Sequence, residues 1–508
     1  MSQAPAAAAW KPRHHPWLIA LSVMMATVLE VLDTSVANVA LPHIAGNLSA
    51  TNHESTWVLT SYLVSNAIIL PAAAWFGGFF GRKRFLIVCI IIFTVSSVLC
   101  GLANSLGFLI FARVLQGLGG GALQPISQAV LLESFPREKR GQAMAVFSMG
   151  VVVAPIIGPI VGGWITDNWS WRWVFLINLP LGILAAFMVR AFVEDPPYIR
   201  QVRSRIDYIG FSLMAVGLGT LQLILDKGQE VDWFHAPWLC WCSGLVAVAL
   251  VGFIIWELRV KNPVVNLKIF CDRNFALGTL AIGAVGAVLY GTLALLPLFF
   301  QTMMGYSAYQ GGLAIGPRGI GAFLAAIVVG RLSGKVSNRL FLGVGFFILG
   351  WTCFLMGNIN LQMSITSVLW AVIGNGTALP MVFIALTTLS MSTLRNEDIG
   401  NAAGLFNLTR NIGGAIGIAV ATTLLARMEQ VHRVSMVAHL TPYDPAYQAA
   451  VAQAGMGHVY RELSRQAVLM AFIDNFLWFG ILSLCFIPLA FLFRSGASSR
   501  AAGGMSGH

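Results

Sequence analysis

The sequence predicts an all-α polytopic membrane protein with fourteen transmembrane helices, arranged as two six-helix bundles plus two inserted helices. Only 10% of the 508 residues are charged and 57% are hydrophobic, against about 25% and 45–50% in soluble globular domains. Apolar stretches of about 20 residues, which as helices cross a hydrocarbon core of about 30 Å, recur along the whole chain. No large soluble domain fits between them.

The apolar stretches place the fourteen predicted spans, which are numbered here in chain order. They lie near 17–42, 55–76, 85–102, 107–131, 141–166, 172–193, 208–226, 238–257, 275–300, 309–331, 340–357, 364–391, 400–426 and 473–493. An even number of spans puts both termini on the same side of the membrane.

The basic residues indicate which side that is. Of the 31 lysines and arginines, 22 fall in segments on the side of the N-terminus, 6 on the opposite side and 3 within spans. Because cytoplasmic segments are enriched in basic residues, both termini are predicted to be cytoplasmic. Topology and attraction to anionic membrane lipid then explain the net charge of +11, so no nucleic-acid partner is expected.

Two similar loops indicate an internal repeat. AWFGGFFGRKR follows span 2 and GRLSGKVSNR follows span 10, so the loops take matching places in two six-span halves, which is typical of transporters whose halves rock about a midplane site. The predicted parts are a cytoplasmic tail 1–16, an N-terminal bundle 17–193, a linker 194–272 with spans 7 and 8, a C-terminal bundle 273–493 with a long non-cytoplasmic loop 427–472, and a cytoplasmic tail 494–508.

Span 1 carries two acids in the stretch ATVLEVLDTSVANVALP. Glu30 and Asp33 are three residues apart, so they share one helix face. They lie about 20 and 24 Å across the core, and Arg113 of the antiparallel span 4 lies about 21 Å from the same side. Since an arginine at that depth seeks a partner, both acids are predicted to pair with it. Such a cluster can carry a proton, and the alternative is an ion pair that only fixes helix packing.

Span 5 concentrates glycine and proline within fourteen residues. They are Gly150, Pro155, Gly158, Pro159, Gly162 and Gly163. Small residues permit close helix contact, and proline removes a backbone donor and bends a helix. Without further information, ordinary helix packing explains such a span.

Polar side chains recur in the spans expected to line a central cavity. They are Asn38, Tyr62, Asn66, Gln116, Gln124, Gln128, Asn375 and Asn407. Such groups orient a ligand among apolar walls, or they form interhelical hydrogen bonds. Arg318 in GPRG and Arg410 in LTRN are candidates for contact with charged substrates, although capping of broken helices explains them equally well.

Several motifs of other function classes do not occur in the sequence. A phosphate loop G-x4-G-K-[ST], H-E-x-x-H and G-x-S-x-G are all missing, so neither an ATP-driven pump nor an enzyme is predicted, and no cofactor is expected. The seven cysteines mostly fall in apolar runs without metal-site spacing. A channel or receptor remains the rival class, but neither requires acids beside Arg113 or a kinked span 5.

Four stretches resemble the major facilitator superfamily, in its fourteen-span drug:proton antiporter branch, most closely the EmrB-type multidrug exporters. They are LDTSVANVALP in span 1, LIFARVLQGLGGGALQP in span 4, GVVVAPIIGPIVGGWI in span 5 and WRWVFLINLPLG entering span 6. The resemblance implies that Asp33 and Arg113 belong to the proton-coupling machinery, and that the G-P-x-x-G-G spacing in span 5 marks an exporter. Glu30 lies outside the motif.

One loop departs from the pattern of the family. Where relatives have G-x-L-A-D-R-x-G-R-[KR], this chain has AWFGGFFGRK, with Gly78 and Phe79 in place of the acid and the arginine. The family's charge latch between the two halves is therefore not expected in its usual form, although the basic run Arg82, Lys83 and Arg84 is retained.

The resemblance implies a proton-driven multidrug efflux transporter in the bacterial inner membrane, which exports amphipathic hydrophobic small molecules and uses the proton gradient as its energy source. An exporter of a dedicated metabolite such as a siderophore or fatty acid is the alternative. EmrB-type exporters work with a periplasmic adaptor, which is a membrane fusion protein, and an outer-membrane channel. The same tripartite pump is implied here.

The non-cytoplasmic loop 427–472 offers a place for such an adaptor. Within it, YQAAVAQAGMGHVYRELSRQAVLMAFIDNF alternates apolar and polar residues at helical spacing, with Arg461, Glu462 and Arg465 on a polar face. The pattern predicts an amphipathic helix, which either lies on the bilayer or packs against the adaptor.

Overall fold

The structure is a computed structural model that describes residues 12–136, 139–195, 207–261, 263–306, 308–332, 335–363, 365–441, 443 and 445–493. The predicted tail 494–508, residues 1–11 of the other tail and residues 196–206 of the predicted linker lie outside the described residues.

Fourteen helices of the described chain are long and apolar enough to cross a membrane, which confirms the predicted fold class of an all-α multi-pass membrane protein. Their bounds, used from here on for spans 1 to 14, are Pro16–Asn47, Trp57–Phe80, Arg82–Gly101, Leu106–Ser134, Arg140–Asn168, Trp171–Phe192, Tyr208–Lys227, Pro237–Arg259, Arg273–Thr302, Gln310–Leu332, Asn338–Met356, Thr366–Met391, Ile399–His439 and Met456–Leu492.

Local sequence explains where several of the helices begin and break. The Ser105 hydroxyl accepts a hydrogen bond from the Phe108 amide and starts span 4, and the Asp272 carboxylate caps span 9 in the same way. Span 10 is broken at Pro317, where the helix Ala308–Ile315 ends and the helix Pro317–Leu332 begins, since a proline cannot continue the hydrogen-bonding of the helix before it.

The helices of each half pack closely, and the halves meet along two lines. Span 1 lies against span 5 in the N-terminal half, and span 9 lies against span 13 in the C-terminal half. Between the halves, span 5 contacts spans 10 and 12, while spans 2 and 4 contact span 13. Buried phenylalanines fill both halves, including Phe93, Phe147, Phe299 and Phe346.

Spans 7 and 8 form a hairpin on the outside of the bundle that touches both halves. The Thr60 hydroxyl of span 2 donates to the Asp226 carboxylate, and the next residue, Lys227, lies over the Trp57 ring at 5.4 Å. Beyond span 7, the Trp233 indole Nε1 donates to Thr423 Oγ1 of span 13 at 2.9 Å. The inserted hairpin therefore bridges spans 2 and 13 at the end of the bundle away from the N-terminus.

Spans 13 and 14 extend well beyond the apolar stretches that predicted them. The helix of span 13 has 41 residues, about 60 Å at 1.5 Å per residue and twice the hydrocarbon core. Most of segment 427–472, predicted as a loop with an amphipathic helix, is formed by the ends of these two helices and by a short helix, Pro445–Ala454. A hydrogen bond joins the two long helices, with His432 Nε2 at 2.7 Å from Asp474 Oδ2.

Candidate functional site

Span 5 sets the orientation of span 1 and hence of its acids. A side chain at Gly158 would overlap Ser35, and one at Gly162 would lie 2.8 Å from the Val36 side chain, so glycine permits the close approach. Pro159 has no amide to bond the carbonyl of Pro155, and Ser35 Oγ donates to that carbonyl at 2.9 Å instead.

The other glycines of the predicted span 5 motif differ in how much room they have. A side chain at Gly150 would lie 2.9 Å from the Val28 side chain, whereas at Gly163 the nearest atom, on Val39, is 3.9 Å away. Gly150, Gly158 and Gly162 therefore form the contact with span 1, and Gly163 lies at its margin. Residues 33 and 35 point in roughly opposite directions on a helix, so this contact turns Asp33 away from span 5, toward spans 4 and 6.

Asp33 lies at the centre of a buried polar network. Its Oδ2 accepts a hydrogen bond from Arg113 Nη1 at 2.6 Å. Its Oδ1 accepts from Gln116 Nε2 at 2.9 Å and from Asn178 Nδ2 at 2.6 Å. Both members of the ion pair are inaccessible to solvent. The carboxylate is thus fully hydrogen-bonded, by donors from spans 4 and 6.

Arg113 is itself held from several directions. Its Nε donates to the Val58 carbonyl at 3.0 Å and its Nη1 to Gln116 Oε1 at 2.8 Å. The guanidinium lies over the Tyr62 ring, 4.3 Å from the centroid, and 5.5 Å from the Phe175 ring. Stacking and hydrogen bonds fix the fork of the arginine toward Asp33.

Glu30 does not form the predicted contact with Arg113. Its Oε1 accepts from Asn66 Nδ2 at 3.0 Å, and its Oε2 has no hydrogen-bond partner among the described residues. Arg113 Nη2 also lacks a partner among the described residues, so Glu30 is directed to Asn66 although the guanidinium retains a free donor. Arg410 of span 13 lies within electrostatic range of the Glu30 carboxyl group.

The residues predicted to bind substrate divide into three groups. Tyr62, Asn66 and Gln116 belong to the network around the two acids. Gln124 and Gln128 of span 4 accept hydrogen bonds from span 13, the first from Arg410 Nη2 at 2.5 Å and the second from Asn407 Nδ2 at 2.6 Å. These two bonds connect the halves.

The third group lies apart from both clusters. Asn375 Nδ2 lies 3.5 Å from Thr352 Oγ1 within the C-terminal half, and Asn38 is exposed near the end of span 1. Many of the polar side chains thus serve as interhelical hydrogen bonds, the alternative that the sequence left open.

The altered loop after span 2 is built from aromatic contacts and one ion pair. Phe79, which replaces the family's arginine, stacks on Trp75 with ring centroids 5.4 Å apart. Arg82 forms a buried ion pair with Glu133 of span 4. A side chain added at Gly400, where span 13 begins, would lie 3.0 Å from the Arg82 guanidinium. Arg82 therefore lies where the halves meet at the N-terminal side.

A small apolar cavity of about 30 Å³ lies between span 5 and the C-terminal half. Two arginines, Arg318 of span 10 and Arg410 of span 13, contribute its charged groups. The remaining lining residues are Val151, Val152, Pro155, Val285, Leu289, Tyr290, Leu293, Leu379 and Phe383. Apolar walls with few polar groups are typical of small-molecule sites. A volume that holds about two waters means that a ligand fits here only when the halves separate.

Two residues with central contacts were not singled out from the sequence. Asn178 donates to Asp33, and Glu133 pairs with Arg82. Asn178 lies inside the quoted stretch WRWVFLINLPLG, where it is one of the few polar residues of an apolar span, and that position is the signal that could have identified it. Glu133 follows the apolar part of span 4 and reads as an ordinary loop acid.

Comparison with known proteins agrees with this architecture. The profile described as Major Facilitator Superfamily matches residues 23–418. The chain is 37% identical over 491 residues to the fatty acid resistance protein FarB of Neisseria gonorrhoeae, covering 94% of this chain and 97% of that protein. It is 36% identical over 450 residues to the multidrug export protein EmrB of Escherichia coli strain K12, covering 88% of each.

A solved structure with the same fold is that of the human organic anion transporter MFSD10. Its TM-score is 0.61 at 13% identity, covering 93% of this chain and 100% of that one. At this identity the likeness concerns the fold alone. The resemblance to EmrB-type exporters, drawn from the motifs, is confirmed by the sequence relatives.

Proposed function

The chain belongs to the major facilitator superfamily, and from that membership we propose that it is an EmrB-type multidrug efflux transporter, which exchanges protons for amphipathic hydrophobic small molecules. Relatives named for multidrug export and for fatty acid resistance support an exporter. The observation that carries the proposal is the buried ion pair of Asp33 and Arg113 in the middle of membrane-spanning helices. Intramembrane charges of this kind are costly and are retained for function.

The network suits a proton site that depends on conformation. Asp33 draws its donors from spans 4 and 6, whereas span 1 is held to span 5 through Ser35 and Val36. A movement of spans 1 and 5 relative to spans 4 and 6 would remove the donors from Asp33. A carboxylate left without donors in a dry environment takes up a proton, and return of the donors releases it.

Glu30 provides a link from this site to the opposite half. It lies one helical turn from Asp33, and its charge interacts with Arg410, which also lines the apolar cavity and bonds Gln124. A change in the charge of Glu30 alters the attraction between span 1 and span 13. The proton site and the cavity are thus connected by charges rather than by a shared side chain.

The structure corresponds to a state that is closed on the side of the membrane where the N-terminus lies. There the halves are joined by the bonds of Gln124 and Gln128 to span 13 and by the contact of Arg82 with Gly400. We assign this side to the cytoplasm, with both termini there and the protein in the bacterial inner membrane, because of the basic residues in its loops. Drug entry from the cytoplasm then requires these contacts to separate.

Transport by purified protein tests the proposal. In proteoliposomes, an imposed pH gradient should drive uphill movement of an amphipathic dye such as ethidium by the wild type. Asp33→Asn should abolish gradient-driven transport but retain dye binding, while Glu397→Gln, which changes an exposed acid before span 13, should transport normally. If the wild type moves the dye equally with and without the pH gradient, a proton-coupled exporter would be excluded.

We further propose that the extended ends of spans 13 and 14 dock a periplasmic adaptor, which connects the transporter to an outer-membrane channel. This extension projects on the side opposite the termini and carries exposed apolar side chains at Val431, Val434, Val437, Tyr443, Met456 and Tyr460. Apolar residues exposed together mark interaction sites.

Deletion of residues 440–465 tests the docking proposal. It should spare gradient-driven transport in proteoliposomes, since the proton site and the cavity lie outside the deleted segment. It should eliminate co-purification with a coexpressed adaptor and drug resistance in whole cells. Val434→Glu should weaken the same co-purification with less disturbance of the helix. Unchanged adaptor binding in both variants would refute the docking surface.

A further inference from the structure

Arg318 is a buried charge that the protein does not balance. The residue belongs to span 10 and is 2% exposed. Its Nη2 donates weakly, at 3.3 Å, to Thr292 Oγ1, and its Nε has no hydrogen-bond partner. No carboxylate of the described chain pairs with it. A cation in this environment attracts an anion from outside the protein.

The second arginine of the cavity is in a different position. Arg410 donates to Gln124 Oε1 and, at 3.2 Å, to Asn411 Oδ1, and its charge interacts with that of Glu30. Its guanidinium also lies 5.8 Å from the Phe383 ring. Arg410 therefore has two polar partners in the protein, although its Nε and Nη1 have none among the described residues. Arg318, with one long hydrogen bond, has the fewer protein partners of the two.

Close helix packing holds Arg318 in this place. A side chain at Gly376 of span 12 would overlap the backbone carbonyl of Arg318, and one at Gly321 of span 10 would overlap the Ile373 carbonyl. The glycines let the two backbones touch, so span 10 cannot turn to move the guanidinium out of the cavity. The charge is fixed toward apolar walls contributed by spans 5, 9 and 12.

We propose that this cavity, widened as the halves separate, binds amphipathic carboxylates, with the carboxylate on Arg318 and the hydrocarbon tail along Val151, Val152, Leu289 and Leu293. The inference rests on the proposed export function and names the substrate class of its cavity. A guanidinium and a carboxylate form paired, charge-assisted hydrogen bonds, and the free Nε of Arg318 supplies the second donor. The apolar wall accepts an alkyl chain and offers no carboxylate among its residues to receive a cationic head group.

Binding of radiolabelled dodecanoate to the purified protein in a neutral detergent tests the proposal, with dodecyltrimethylammonium as the cation of equal chain length. The wild type should bind dodecanoate more tightly than the cation. Arg318→Met should weaken dodecanoate binding by about tenfold or more, the scale of losing one charge-assisted bond, and leave the cation unaffected. Arg318→Lys should retain part of the affinity.

Arg331→Met is the matched control, because it makes the same change in the same span at an exposed position, and it should bind dodecanoate like the wild type. Equal binding of dodecanoate and the cation by the wild type, or unchanged dodecanoate binding by Arg318→Met, would overturn the assignment. Parallel loss of both ligands in Arg318→Met with full affinity in Arg318→Lys would still place the charge at the site; parallel loss in both variants would refute it.

The test separates this inference from the proposed function. If a pH gradient drives ethidium export but dodecanoate does not bind, the carboxylate site is wrong and the exporter stands. If dodecanoate binds through Arg318 but no compound moves with the gradient, the site stands and the exporter is wrong.

Discussion

The buried arginines of the two halves differ in the partners that the protein gives them. In the N-terminal half, Arg113 is neutralised by Asp33, and every oxygen of that carboxylate has a donor from the protein. In the C-terminal half, Arg318 has one long hydrogen bond and no acid partner in the described chain. A saturated pair can be switched only by moving helices or adding a proton, whereas an unbalanced charge is available to a ligand. This difference is the reason for proposing the proton site in one half and the substrate head group in the other.

The largest expected effect comes from breaking the saturated pair. Arg113→Met leaves Asp33 buried without its counter-charge, and loss of one partner of a buried ion pair typically lowers the free energy of unfolding by about 3–5 kcal/mol. The double variant Asp33→Leu with Arg113→Met should be much more stable than Arg113→Met alone, because neither charge remains. Thermal unfolding of the detergent-solubilised proteins measures both. Equal stability of the single and double variants would contradict the saturated-pair description.

A smaller effect is expected from separating span 1 from span 5. Gly158→Val introduces side-chain atoms where Ser35 lies, and overpacking of this kind costs about 1–3 kcal/mol. The displaced span 1 would carry Asp33 away from its donors, so gradient-driven transport should fall as well. Gly163→Ala is the control, since a Cβ there has room, and it should resemble the wild type in melting temperature and transport rate.

A still smaller effect is expected from removing one hydrogen bond between the halves. Gln128→Leu removes the acceptor of Asn407, and a single hydrogen bond contributes about 1 kcal/mol, which shifts a two-state equilibrium about fivefold. A cysteine placed near the cavity should become more reactive toward a thiol reagent from the side of the termini. Asn375→Leu removes a contact within one half and should leave that reactivity unchanged; an equal increase would show that the bond between halves has no special role.

The sequence predicted the span number, the fold class and the placement of Asp33 beside Arg113, because these follow from apolar length, helical rise and the cost of an unpaired charge in the membrane. It did not predict that Glu30 bonds Asn66 rather than Arg113, since which of two acids on one face meets the arginine depends on how the neighbouring helices pack. The extension of span 13 to His439 was not predicted as helix, because its polar composition does not meet a criterion based on apolar length. The helix that begins span 14 was predicted, as an amphipathic helix. The hydrogen bond from Asn178 to Asp33 was not predicted either, because it depends on which spans are adjacent in the fold.

The smallest expected effect concerns stability at Arg318, and its sign distinguishes the halves. Removing a charge that the protein does not balance also removes its desolvation cost. Arg318→Met should therefore leave the free energy of unfolding of the ligand-free protein unchanged or raise it by up to about 1 kcal/mol, with a melting temperature that is equal or higher. Dodecanoate should raise the melting temperature of the wild type by mass action and have little effect on Arg318→Met. A loss of stability as large as that of Arg113→Met would mean that Arg318 is balanced within the protein, and the two halves would then be alike.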